Sequence, residues 1–104
     1  MFARHVSIHL KSNMLSDYTR TFEKDVLPLL RKQNGFKDAL TLSTPGSVDV
    51  IAISLWDNKA STEAYNTNAY PQVLKTMDRF IDGTPKVQTF ETVTSTFHKV
   101  AVAA

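Results

Sequence analysis

The 104-residue sequence predicts an α+β fold in a single domain, with elements in the order β-α-β-β-α-β. Three observations lead there. Residues 2–11 and 48–56 alternate with the period of two that belongs to strands. Residues 15–30 instead carry an apolar stripe at three- and four-residue spacing. Each change of period coincides with a cluster of turn-forming residues.

The first strand, residues 2–11, sends Val6, Ile8 and Leu10 one way and His5, Ser7 and His9 the other. Ser12 or Asn13 can cap the helix that follows, in which Leu15, Tyr18, Phe22, Val26, Leu29 and Leu30 share one face. Pro28 has no backbone donor, so a kink or break is expected late in this helix. Asn34-Gly35 suits a left-handed C-terminal cap, after which Phe36 restarts the chain. Residues 39–43 and 48–56 form a hairpin around Thr44-Pro45-Gly46-Ser47.

Asp57 or Asn58 then caps a second helix, which Ala60, Ala64 and Tyr65 begin. Asn66-Thr67-Asn68 interrupts it, and Pro71 falls in the first turn of a second piece running to Phe80. Asp82-Gly83-Thr84-Pro85 is a turn. A long last strand is expected over residues 86–99, rich in Thr, Val and Phe, with a frayed tail at 100–104. The domain thus spans 1–104, with its core in about residues 2–99.

This order is the split βαβ, or ferredoxin-like, arrangement: two helices on one face of a four-stranded antiparallel sheet. Ile51, Ile53 and Leu55 are assigned with Val6, Ile8 and Leu10 to the helix-covered face. The open face then carries His5, Ser7, His9, Ala52, Ser54 and Trp56. Such a mixed, aromatic face suits burial against a second copy with a cavity left between, so a homodimer is expected. The last strand is expected to reach across to that partner and protect an exposed edge.

Composition narrows the functional classes. Twelve basic against ten acidic residues leave a charge of only +2, and the cations are dispersed, with Arg31-Lys32 the one adjacent pair. Phosphate backbones need clustered cations, so no nucleic-acid partner is expected. The sequence contains no cysteine, which rules out disulfides and thiolate chemistry and suits a reducing cytoplasm. No apolar run approaches the roughly 20 residues of a membrane span, and the N-terminal residues read as strand rather than signal peptide. Serine-hydrolase spacing, a phosphate-cradling glycine loop and paired metal-ligand motifs are all missing.

Asn34-Gly35-Phe36, Ser54-Leu55-Trp56-Asp57, Ala60 with Glu63-Ala64-Tyr65, and Ala69-Tyr70-Pro71-Gln72-Val73-Leu74 together resemble the antibiotic biosynthesis monooxygenase domain of the dimeric α/β-barrel superfamily. The likeness covers nearly the whole chain. It implies a dimeric α/β barrel and, in some members, oxygenation of quinols or aromatic polyketides without a cofactor. Other members degrade haem, and others bind small ligands or have no known activity. In the polyketide oxygenases an asparagine four residues before the tryptophan handles protons; here that position is Ala52. In the haem-degrading branch the iron-ligating histidine matches Lys75 and an aromatic residue matches Tyr65. A protonated lysine is a poor iron ligand, which counts against haem.

The candidate site residues each carry two readings. His5 can act as a base, being nearest Trp56 in an antiparallel pairing, or stand as a hydrogen-bonded cavity histidine. His9, with Ser7 on the same side, lies roughly 13 Å from His5 along a strand, too far to share a metal ion. His98 reads as peripheral. Trp56 can stack on a flat substrate or simply fill core. Tyr65 and Tyr70 can close a pocket and donate hydrogen bonds, or pack on the sheet, and Lys75 with Arg79 forms a steering or merely solvated stripe. The resemblance implies a monooxygenase using molecular oxygen on a small aromatic phenol or quinol, with no cofactor. A non-catalytic protein binding a small hydrophobic ligand or serving stress response is the alternative, and haem degradation is third.

Overall fold

The computed structural model describes residues 1–100, and most of the tail expected at 100–104 lies outside the described residues. The elements are β1 (Phe2–His9), α1 (Leu15–Thr21), a π-helical segment (Phe22–Val26), α2 (Leu27–Arg31), β2 (Phe36–Ser43) and β3 (Asp49–Trp56). They continue with α3 (Lys59–Asn68), α4 (Tyr70–Met77), a 3-10 turn (Asp78–Phe80) and β4 (Lys86–Glu91). The antiparallel sheet has the order β2-β3-β1-β4, which is the ferredoxin-like topology.

Local chemistry accounts for most boundaries. Asn58 accepts a hydrogen bond from the Ser61 N–H at 2.9 Å and caps α3. The first helix has Met14 at its N-cap with no side-chain bond, so neither Ser12 nor Asn13 caps it; Asn13 takes φ +61° instead. The break expected at Pro28 is a π-helical turn just before it. The Leu27 N–H reaches back five residues to the Phe22 carbonyl, which re-spaces the ladder where proline offers no donor. The second helical stretch divides at Ala69, one residue beyond the asparagines, and Pro71 opens α4 as expected.

The two sheet faces differ from expectation in one respect that changes the site. In β1–β3 pairing, Phe2 lies opposite Trp56, Arg4 opposite Ser54, Val6 opposite Ala52 and Ile8 opposite Val50. Directly opposed residues share a face, so Ala52, Ser54 and Trp56 lie under the helices with Val6 and Ile8. Ile51, Ile53 and Leu55 join His5, Ser7 and His9 on the other face. Alternation within a strand groups residues correctly but does not say which group faces in. The core beneath the helices joins Val6, Ile8, Val50 and Trp56 to Tyr18, Val26, Leu30, Tyr65, Val73 and Met77.

The last strand is also shorter than expected, ending at Glu91 rather than near residue 99. Ser95 Oγ accepts from the N–H groups of Phe97 and His98, turning the chain by a local side-chain bond that competes with strand pairing. The segment then crosses the outer face of its own sheet: Thr94 and Phe97 lie beside Leu40 and Leu55, and His98 pairs with Asp38 on β2.

Gly35 is where the helix and sheet approach closely. Its φ is +82°, its carbonyl accepts from Asp57 N–H at 2.8 Å, and an added Cβ would sit 2.7 Å from Ser61 Cβ and closer still to Ser61 Oγ. Gly46 has φ +77° but nothing within 4 Å of such a Cβ. Gly35→Ala therefore adds a collision with α3 to a backbone penalty of about 1–2 kcal/mol. The backbone penalty alone should lower the unfolding midpoint of Gly46→Ala by roughly 4–16 °C, and Gly35→Ala should lower it further because of the collision with Ser61; equal midpoints would contradict the close approach at Gly35.

Candidate functional site

Between the sheet and α1, α3 and α4 lies an apolar cavity of about 50 Å³. Val6, Ile8, Leu30, Val73 and Met77 supply its hydrocarbon walls. Its polar groups are few: Arg4, Ser54 and the phenols of Tyr18, Tyr65 and Tyr70. Ala52 lines it without offering a proton acceptor, and no histidine, aspartate, glutamate or lysine does so. An apolar cavity near 150 Å³ holds benzene, so admitting an aromatic ring requires side chains to move apart. Tyr70, half-buried at the start of α4, is placed to do so.

An aromatic chain backs this cavity. Trp56 is fully buried, its indole N–H donates to Ser54 Oγ at 2.8 Å, and its ring lies 5.5 Å from Phe36 and 4.9 Å from Tyr65. Tyr65 in turn lies 6.0 Å from Tyr70. Trp56 therefore supports Tyr65 from behind rather than lining the cavity. Of the sequence-predicted residues, Tyr65 and Tyr70 line the cavity and Trp56 stands next to it.

The remaining candidates are on the other side of the sheet. His5 meets Phe90 edge-on at 6.0 Å, and its buried Nδ1 has no hydrogen-bond partner among the described residues. Ser7 is exposed. His9 Nδ1 is 2.8 Å from Asp49, an exposed contact whose hydrogen bond holds the Asp49 carboxyl below its ordinary range. The grouping of His5, Ser7 and His9 with Trp56 is thus replaced by two separate faces. Lys75 is exposed, and Arg79 lies over the Phe80 ring at 4.7 Å.

Arg4 and Tyr18 are the cavity residues that sequence reasoning missed. Arg4 is only 3% exposed, and its guanidinium lies 3.9 Å from the Tyr70 ring centroid and 5.1 Å from that of Tyr65. It donates to Asn66 Oδ1 at 2.8 Å. A desolvated cation–π contact is worth about 2 kcal/mol, against several kcal/mol for burying an ion, so these neighbours offset the charge only in part. The available signal was parity: Arg4 shares its side of β1 with Val6 and Ile8. Tyr18 lies in the apolar stripe of the first helix, and its spacing there does not distinguish a cavity phenol from core.

No protein-family model matches the chain, and no curated protein does. Solved structures match it closely in fold. A candidate antibiotic biosynthesis monooxygenase from Bordetella bronchiseptica aligns at TM-score 0.75 with 12% identity, covering 89% of this chain and 97% of that one. A mutant of SnoaB, a cofactor-independent oxygenase from Streptomyces nogalater, aligns at 0.72 with 11% identity, covering 91% and 95%. The ActVA-Orf6 monooxygenase of Streptomyces coelicolor, in complex with nanaomycin D, aligns at 0.73 with 13% identity, covering 86% and 84%. A Nitrosomonas europaea protein of unknown function aligns at 0.74 with 14% identity, covering 98% and 95%. The chain has the fold of antibiotic biosynthesis monooxygenase domain proteins; at such identities the likeness concerns the fold alone.

Burial raises the Tyr65 phenol from its ordinary 10.0 to about 12, with Arg4 pulling the other way, and burial raises Tyr18 further still. Both rings hold their protons more tightly folded than unfolded, so stability present below pH 10 is lost as pH climbs through 10 to 12. Tyrosinate absorbance from these two residues should rise together with loss of circular dichroism. Ionisation of either while the fold stays intact below pH 11 would contradict their burial.

Proposed function

We propose that the chain is a cofactor-independent monooxygenase of the antibiotic biosynthesis type, acting on a small phenol or quinol in the cavity beneath its helices. The observation that carries this reading is an apolar cavity edged by Tyr18, Tyr65 and Tyr70, in the fold of oxygenases described as cofactor-independent. In such a reaction the ionised substrate gives an electron to O₂. An anthrone methylene would become a carbonyl, with one oxygen atom entering the product and the other leaving as water. Hydrocarbon walls exclude bulk water, and the buried phenols stay protonated to donate hydrogen bonds to substrate oxygens. His5 lies across the sheet, so it does not supply the base in this scheme.

A second reading, binding of a small hydrophobic ligand without oxygen chemistry, is favoured by Ala52, which leaves the cavity without a side-chain base. Under both readings we propose a homodimer joined through the outer sheet face. Leu40, Leu42 and Phe90 are 40%, 47% and 48% exposed there, beside Ile51 and Ile53, making an apolar surface that a second copy would cover.

Oxygen uptake with a panel of hydroquinones and anthrones should exceed the uncatalysed rate, fall about tenfold or more in Tyr70→Ala, and stay unchanged in Lys75→Gln. A panel that gives no uptake while ligands still bind would leave the binding reading in place of the enzyme. Light scattering should give twice the mass of one chain, and Leu42→Glu should return it to one; a monomeric wild type would remove the dimer.

A further inference from the structure

We propose that Arg4 is the anion receptor of the cavity, so that the ligand bound there is a flat ring carrying an ionised oxygen, a phenolate, in preference to the neutral phenol. The inference rests on the cavity being the aromatic binding site, and it adds the residue that selects the ionised ligand.

Arg4 carries a charge that its neighbours offset only in part. Arg4 is almost completely buried, yet none of the ion pairs among the described residues includes it. Buried arginines ordinarily face a carboxylate. Here the only side-chain hydrogen bond among the described residues goes to a neutral amide oxygen, that of Asn66. A guanidinium has five N–H donors, so this leaves most of them for another acceptor. The flat face of the cation is taken by Tyr70, and the donors lie in the plane at its edge.

Position gives the charge a use. Arg4 belongs both to the cavity wall and to a surface groove lined by Thr62, Glu63, Asn66, Thr67, Val87 and Thr89, so it stands between the cavity and solvent; the Glu63 carboxylate in that groove pairs with Lys59 at 3.9 Å and not with Arg4. A ring inserted among Val6, Val73 and Met77 could place an oxygen at the guanidinium edge while its carbon skeleton stays in hydrocarbon. Tyr65 and Tyr70 stand beside the same guanidinium, and a protonated phenol donates to an oxyanion as the guanidinium does. The cavity has no residue to take a proton from a neutral phenol, so ionisation by loss of the proton to solvent, stabilised by Arg4, replaces a general base.

The test uses 4-nitrophenol, whose phenolate absorbs visible light and whose phenol does not, titrated with the full chain across pH. The apparent pKa of the bound probe should fall by about one unit or more, equal to about tenfold tighter binding of the phenolate. Arg4→Met, which keeps the stem and removes the charge, should bind the probe and abolish the shift, while Arg4→Lys should retain part of it. Should Arg4→Met fail to fold, the wild type decides alone: 4-nitroanisole, which cannot ionise, should bind at least about tenfold more weakly than the phenolate. Equal affinities, or a bound pKa equal to or above the free value, would overturn the anion receptor and leave the aromatic site standing. Failure of a folded wild type to bind either probe at any pH would overturn both.

Discussion

The antiparallel register of β1 against β3 is the constraint on which the rest of the structure depends. With Phe2 opposite Trp56 and Ile8 opposite Val50, one set of side chains is committed to the helices and the other to the outer face. A slip of one residue would turn one strand over relative to the other, moving either Ala52, Ser54 and Trp56 or Arg4, Val6 and Ile8 to the outer face and separating Arg4 from the Trp56 side of the sheet. Burial of Val6, Ile8, Val50 and Trp56 beneath the helices opposes such a slip, at about 1.5–3 kcal/mol for each large apolar side chain kept from water. Everything that gives the inner face its chemistry follows from this one alignment.

On that face a line of rings connects sheet to helices. Phe36 touches Trp56, Trp56 touches Tyr65, Tyr65 touches Tyr70, and Arg4 closes the line over the two tyrosines. Trp56 is held by its bond to Ser54, which satisfies the indole N–H that full burial would otherwise strand. The fixed tryptophan gives Tyr65 a rigid backing. Tyr70, beyond the helix break at Ala69, is half-buried, in contrast to the buried Trp56 and Tyr65. Trp56 is fully buried whereas Tyr70 is half-buried, so a cavity that is small when empty would widen around a ring at the Tyr70 end rather than at the tryptophan.

The outer face has a different character. His5 lies there beside Ile53 and Phe90, its Nδ1 without a partner among the described residues, and the segment after β4 is folded over Leu40 and Leu55. Helices satisfy the inner face within one chain, whereas the outer face retains apolar surface that a single chain leaves open. The assembly we propose would bury that surface, and the strap from Ser95 to His98 lies on the same side.

Element order, the hairpin, a cap at Asp57 or Asn58, Pro71 in the first turn of α4 and the ferredoxin-like class were all legible in the sequence, because period and turn chemistry are local properties of the chain. The alternation of β1 also puts Arg4 on the apolar side with Val6 and Ile8. What only the tertiary structure decided is which side of β3 meets the helices, where the last strand stops, and which residues share a cavity. Strand periodicity is symmetric with respect to the two faces, and Ile51, Ile53 and Leu55 are as apolar as Val50, Ala52 and Trp56. Pairing with β1 and closure by α3 and α4 remove that symmetry, bringing Arg4 to Tyr65 and Tyr70 from distant parts of the chain and leaving His5 on the opposite face.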